Sequence, residues 1–381
     1  MQSLDHNAVD LLRAITRPPS NVTPIAVARI AKDVNRWDDV IEGARRHRIL
    51  PMLYRILADL PDVPSDVLQL AKSEFERNAF HCMTNAEELL HVLRAFETAG
   101  ISAMPFKGVV LAASAYGDMT MRTAGDIDLL IRYGDLQRAS EILLQRGYLL
   151  NTLTLDDGSP EAKEYFEYHF ERPSDGMVLE LRWKLELTQP RFRHELGLDW
   201  AWPRRIIVKL AGAEVPNLDP VSSLLVLCMH GSKHAWSRYM WISDVVMLIH
   251  SEPELDWNFA RREAKRVGLE RCLALGVLLA WHSGAEVPDQ ILQLFKADRD
   301  MTRLAEFFAT NVLENPGAMP GGTVPYFLRI LGSRDRLRSL FSPSILQPNE
   351  RDCAAIRLPR ALHPLYYLIR PFRILRDRSG R

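Results

Sequence analysis

Cysteine is scarce: the 381 residues hold four, Cys82, Cys228, Cys272 and Cys353, with no CxxC pair and no metal-ligand spacing. That excludes a disulfide scaffold and a thiolate zinc site, and leaves buried free thiols of a reducing compartment. Long apolar runs are missing too. The opening segment MQSLDHNAVDLLRAITRPPS has no continuous apolar stretch, and no run approaches the roughly 18 residues that span a bilayer. The expectation is a cytoplasmic protein without a transmembrane segment. Net charge is also absent: Lys+Arg and Asp+Glu number 48 each, so no global basic field favours nucleic acid as a partner. Internal repeats and low-complexity tracts are lacking as well.

What is present is the composition of a globular chain, 47% hydrophobic and 25% charged, with length for two or three structural units. From residue 1 to about 95, apolar residues recur at three- and four-residue spacing. They predict helices over AVDLLRAI, WDDVIEGARRHRILPMLYRILADL and VLQLAKSEFERNAFHCMTNAEELLHVLRAFETAG, with PDVPSD separating the last two. His47, within the second, reads as structural.

The texture changes after Gly100. ISAMPF predicts a short strand ending at Lys107-Gly108, VVLAASAYG a helix, GDMTMRTAG a polar turn and DIDLLI a strand. DLQRASEILLQRG is an amphipathic helix closed by Gly147. YFEYHFERP and MVLELRWKL then read as strands joined through Ser174-Asp175-Gly176, a hairpin signal. From Asp219 the chain is helical again, opening on a cap-like Asp-Pro-Ser start. GAMPGG is a loop. The tail LHPLYYLIRPFRILRDR is aromatic and basic, interrupted by Pro364 and Pro371; packing on the body is the favoured reading over a partner or membrane-surface element. The predicted organisation is α+β: an N-terminal helical region (1–95), a small mixed-sheet core (96–210), a C-terminal helical region covering the cleft (211–316), and a loop with the basic tail (317–381).

The chemistry centres on two carboxylates. Asp126 and Asp128 sit two apart on a predicted strand, so both project from one face. Hard cations such as Mg²⁺ take few protein carboxylates and leave room for substrate phosphates. A lone D-x-D is common, but Ile127, Leu129 and Leu130 imply partial burial, and burying two carboxylates without a cation costs several kcal/mol. A third carboxylate is needed to hold two metals against an in-line phosphoryl displacement. Glu180, alternating with Leu179 and Leu181, is the best candidate, on a strand able to lie beside DIDLLI.

The segment FKGVVLAASAYGDMTMRTAGDIDLLIRYGDLQRASEILLQRGY resembles the core of the uncharacterised nucleotidyltransferase family, a branch of the polymerase-β-like superfamily. The resemblance rests on Lys107, Gly108, Tyr116, Arg122, Asp126 to Leu130 and Gly147-Tyr148, and extends from about Ala44 to about Arg373. It implies a nucleotidyltransferase core in which Asp126 and Asp128 ligate Mg²⁺ or Mn²⁺ and Glu180 completes the site or acts as general base. It also implies that Lys107, Gly108 and Arg122 meet phosphate, Arg122 having the alternative of bracing an acidic neighbour. Two departures stand out. The superfamily's Gly-Ser or Gly-Gly turn is here Lys107-Gly108-Val109, without a serine hydroxyl, and Arg182 precedes Trp183 where the family carries histidine, a fixed cation replacing a titratable group.

A second constellation is MHGSKHAWSRYMWISD. Read as one helix, it gathers His230, Lys233, His234, Ser237, Arg238, Trp241 and Asp244 within an arc of about 140°. A solvated face would carry Glu, Gln and Lys, and the opposite face (Ala235, Tyr239, Ile242) is not polar either, so the stripe is expected to face a cleft. His230 and His234 have zinc spacing, but no Glu follows and no third soft ligand is evident. By the resemblance this helix lies over the nucleotide, with Lys233, His234 and Arg238 on the triphosphate or an anionic acceptor. Trp241 either stacks on a base or packs in the core.

The expected activity is metal-dependent transfer of a nucleoside monophosphate from an NTP, ATP first, to an acceptor hydroxyl or phosphate with loss of pyrophosphate. The acceptor class, small molecule, sugar or peptide, is open. The competing readings are a nucleotide-binding scaffold without turnover and a phosphotransferase on the same fold.

Overall fold

The computed structural model describes residues 4–21, 23–123, 125–150, 167–185 and 196–331. The aromatic basic tail and Cys353 lie outside them. Helices α1 (His6–Ile15), α2 (Pro24–Lys32), α3 (Trp37–Arg46), α4 (Leu50–Leu57) and α5 (Ser65–Thr98) come first. The central part follows: β1 (Ala103–Pro105), α6 (Gly108–Leu111), β2 (Ile127–Ile131), α7 (Leu136–Gln145), β3 (Leu149–Leu150), β4 (Glu167–Arg172), β5 (Met177–Arg182), α8 (Leu198–Ala201), β6 (Ile206–Leu210) and β7 (Ala213–Asn217). The helices α9 (Pro220–Lys233), α10 (Tyr239–Ser251), α11 (Trp257–Val267), α12 (Glu270–His282), α13 (Asp289–Lys296), α14 (Arg299–Asn311) and α15 (Thr323–Ile330) complete the described chain. The class is α+β, as the pattern predicts.

The main sheet runs β1-β2-β5-β4-β3, with β2 and β5 parallel and the other pairs antiparallel. β2 is buried along its whole length because α5 and α7 cover the sheet, which explains its near-continuous apolar run. Pro105 ends β1, an edge strand where a missing N–H is tolerated. Two cores organise the molecule. One surrounds the sheet, α7 and the C-terminal half of α5, from Cys82 to Phe96. The other joins α1–α4 to α9–α15, so the two ends of the described chain share one interior. Val67 and Ala71 of α5 belong to the second core, as do Met104 of β1 and Leu130 of β2, so that helix and both strands serve the two cores.

Four departures from the sequence pattern bear on the site. The helix predicted over WDDVIEGARRHRILPMLYRILADL breaks between α3 and α4, where Pro51 starts a new first turn and Arg48 adopts φ 56°. The helix predicted through MHGSKHAWSRYMWISD also breaks: α9 ends at Lys233, Ala235 and Trp236 take φ 48° and 49°, and α10 starts at Tyr239. Trp236 causes this break. Its indole is fully buried against Gly231, where a Cβ would stand 2.4 Å from the ring, and the Trp236 backbone N–H donates to the Gly231 carbonyl at 2.8 Å. The hairpin β6–β7 and the helix α15, the latter inside the span read as loop and tail, are additions that the sequence reading lacked.

Candidate active site

The carboxylate face is set by strand register. Asp128 is the Cα partner of Glu180 across the parallel pair β2–β5, and Glu180 is the partner of His169 across β5–β4. Parallel strands without a slip keep partners on one face, so the two carboxylates share a wall, and Asp126 stands one step before β2 on the same side.

The turn Lys107-Gly108, between β1 and α6, closes over them. Both residues have positive φ, 63° and 50°; glycine adopts this freely, lysine at a cost. The result aims the Lys107 ammonium at Asp128 Oδ1, 3.0 Å away, while a Cβ on residue 108 would meet the Asp126 carbonyl at 3.5 Å. Arg182 lies among Asp128, Glu167 and Glu180, with its Nε 3.6 Å from Asp128 Oδ1 and its terminal nitrogens on the two glutamates.

The opposite wall comes from the end of α9, the Trp236 turn and α10. The pocket between the walls encloses about 440 Å³ and is lined by Lys107, Gly108, Arg122, Asp126, Asp128, Glu180, Lys233, His234, Arg238 and Trp241. Residues predicted from distant segments are thereby brought into one cleft. Arg48, Glu167, Arg182, His230 and Ser237 also line it. Arg48 and Glu167 carried no local signal; Arg182 had been visible as a departure from the family pattern, and His230 and Ser237 as members of the polar stripe.

Arg122 is mostly committed elsewhere. Its Nε and Nη2 donate to the two Asp244 oxygens at 2.7 and 2.9 Å, and Tyr116 donates to Asp244 Oδ1 at 2.8 Å. Burial works against the charged guanidinium, but Asp244 outweighs it and raises the Arg122 pKa. This is the bracing arrangement, with Arg122 in the wall and α10 tied to the turn ahead of β2. Trp241 is packed likewise: it stacks on His234 at 5.0 Å, meets His230 edge-on at 5.4 Å and lies under Arg238 at 5.7 Å.

The electrostatics reflect crowding. Burial, then Asp128, pushes the Asp126 pKa up. Burial also raises Glu180; Arg182 opposes it, Asp128 adds to it, and the net shift is upward. Glu167 goes the other way, to about 2: burial is outweighed by the hydrogen bond with His169 and the charge of Arg182. Partial burial, then Lys233, Lys107, Arg182 and Arg238, hold His234 down at about 4. That lowering favours the neutral imidazole of His234 in the chain without a bound anion.

Asp128 Oδ1 is buried and has no aligned hydrogen-bond donor, despite the nearby ammonium. A buried anionic oxygen that draws two cations without an aligned hydrogen bond, beside a second carboxylate, suits a hard cation. Among the described residues, however, no group of three or more His, Cys, Asp or Glu stands close enough to hold a metal ion. The donors thus fit a site of two carboxylates completed by phosphate oxygens, and not a preassembled cage of Asp126, Asp128 and Glu180.

The family model described as "Uncharacterised nucleotidyltransferase" matches residues 33–283, about two thirds of the chain. The chain belongs to that family. The match starts ahead of the resemblance read from sequence and stops short of its expected end near Arg373. A nucleotidyltransferase role in the general sense follows from membership, and with it a nucleotide as substrate. The nucleotidyltransferase is also similar to a solved structure titled as an antigenic nucleotidyltransferase-like protein from Paracoccidioides brasiliensis, at 15% identity and TM-score 0.33, over 58% of this chain and 92% of that one. No curated protein matches it. Among the described residues, no helix of the nucleotidyltransferase is long and apolar enough to cross a membrane.

Proposed function

We propose that the protein transfers a nucleoside monophosphate from an NTP, ATP first, to an acceptor hydroxyl or phosphate and releases pyrophosphate. The observation that carries this reading is the register pairing of Asp128 with Glu180, beside Asp126, in a pocket that also holds Lys107, Arg182 and Lys233. Asp126 and Asp128 would hold Mg²⁺ or Mn²⁺, with Glu180 contributing once substrate is bound. The cation would supply neutralisation of phosphate charge and polarisation of the reacting phosphorus.

The chain's own groups do the remaining work. Glu180, with its raised pKa, accepts the acceptor's proton more readily than an ordinary carboxylate. The acceptor oxygen bonds to the α-phosphorus as the bond from that phosphorus to the bridging oxygen breaks. Lys107 and Arg182 donate to phosphate oxygens as charge builds on them. Lys233, whose pKa is lowered by burial and by Arg182, faces the same space. The acceptor, small molecule, sugar or peptide, is the open variable.

Product mass tests the reaction class. An acceptor gaining about 329 Da from ATP supports nucleotidyl transfer, and a gain of about 80 Da would replace it with phosphoryl transfer.

A further inference from the structure

The pocket's cations are unequally committed. Before substrate enters, Lys107 is paired with Asp128, Arg182 with Asp128, Glu167 and Glu180, and Arg122 with Asp244. Arg48, Arg238 and Lys233 remain: among the described residues none of the three is engaged in a hydrogen bond or ion pair through its side chain, and Arg48 and Arg238 are the two guanidiniums of this set, Arg238 making its contact over Trp241. Burial, then the charge of Arg238, lowers the Arg48 pKa, with Asp126 opposing. Two half-buried guanidiniums that repel each other, with no directly paired carboxylate and only the nearby charge of Asp126 in opposition, are an arrangement that an anion relieves.

The backbone points to the same place. Among the described residues, six non-glycine residues have positive φ, and four of them, Arg48, Lys107, Ala235 and Trp236, line this pocket or form the turn that delivers Arg238 to it. Strained conformations persist where the surrounding structure holds them, and they gather at ligand sites.

Position gives the ligand's identity. The Arg48 Nη1 lies 3.7 Å from where a Gly125 Cβ would stand, immediately before Asp126, and the Thr123 hydroxyl donates to the Arg48 carbonyl at 3.2 Å. Asp126 thus separates this pair from the Glu180–Arg182–Glu167 end. We propose that Arg48 and Arg238 form the subsite for the pyrophosphate moiety, gripping the β- and γ-phosphates of the NTP; this rests on the nucleotidyl-transfer reading. With the acceptor's proton going to Glu180, the in-line leaving group points away from it, toward Arg48 and Arg238. The bond from the α-phosphorus to the bridging oxygen breaks, and pyrophosphate departs with the electron pair toward two guanidiniums that no carboxylate pairs directly.

Calorimetric titration of the full chain with Mg²⁺ and inorganic pyrophosphate, ATP or AMP tests this in wild type, Arg48→Asn and Arg238→Gln. Asparagine tolerates the left-handed backbone of residue 48, and residue 238 has ordinary extended backbone, so a misfolded first variant leaves the second informative. Each variant should weaken pyrophosphate and ATP by about tenfold or more and AMP by less than about twofold. Unchanged pyrophosphate and ATP affinity, or an equal loss for AMP, overturns the subsite. Wild type that takes pyrophosphate through both arginines but no NTP supports the anion pair and overturns the nucleotide reading. Wild type that takes ATP with neither variant impaired overturns the subsite alone.

Discussion

Arg122 and Asp244 form a buried bidentate ion pair, at 2.7 and 2.9 Å, that ties the turn ahead of β2 to α10. Side-chain exposure is 6% and 1%, so removing one partner strands a buried charge. Arg122→Ala or Asp244→Ala should each cost about 3–5 kcal/mol in urea unfolding. The double change Arg122→Met with Asp244→Leu should cost less than the sum. Additive losses would mean that the pair is not the coupling between these elements.

Lys107 stands where a metal would draw on Asp128. With its ammonium 3.0 Å from Asp128 Oδ1, Lys107→Met should leave a less compensated carboxylate pair. The protein without nucleotide should then bind Mn²⁺ more tightly by about tenfold, while affinity for NTP falls. Electron paramagnetic resonance titration of Mn²⁺ reads the first effect. Unchanged or weaker Mn²⁺ binding would show that Lys107 does not compete for that oxygen.

Gly231 has no room for a side chain, since a Cβ would sit 2.4 Å from the Trp236 ring. Gly231→Ala should destabilise by about 1–3 kcal/mol and displace the turn bearing Ser237 and Arg238. Weaker NTP binding should therefore accompany the lower melting temperature. Full stability with full affinity would remove Trp236 as the wedge that shapes the pocket wall.

His47 makes stability depend on pH. The Tyr239 N–H donates to Nδ1 at 3.3 Å, so the ring's proton is on Nε2, which donates to the Leu313 carbonyl at 3.1 Å. Burial, opposed by the Leu313 hydrogen bond, lowers its pKa from 6.5 to about 4. As pH falls the unfolded chain takes up this proton first, so stability is full above 6.5 and is lost toward 4. The loss reaches about 3 kcal/mol. His230, also lowered by burial, adds a slope of the same sign. Denaturant melts from pH 7 to 4.5 should show the fall, with a shallower one in His47→Gln; identical slopes would contradict it.

The carboxylate chemistry was legible because strands expose period two: Asp126, Asp128 and Glu180 alternate with apolar neighbours, and register alone joined them. Gly147 and the cap-like Asp219 likewise marked helix ends locally, and the Asp219 side chain does accept from Val221 and Ser222. The breaks at Arg48 and at Ala235-Trp236 were not legible. Left-handed residues there are not glycine or asparagine, and the apolar period runs on through both, so tertiary packing decides against the local pattern. Arg48 was missed for that reason, since its place in the pocket follows from the break. The β6–β7 hairpin did carry a signal, Ala211-Gly212, both with positive φ, between two short apolar alternations. Arg122 had two readings in sequence, and only the proximity of Asp244, far along the chain, favours bracing.

The central claim is turnover at Asp126 and Asp128, and pyrophosphate release reads it most directly. Wild type supplied with NTP, Mg²⁺ or Mn²⁺ and an acceptor pool should release pyrophosphate only with metal present. Asp128→Ala should lower the rate by at least about a hundredfold while retaining its fold. Metal-dependent pyrophosphate release that survives Asp128→Ala, or none in wild type with any NTP, would contradict the account.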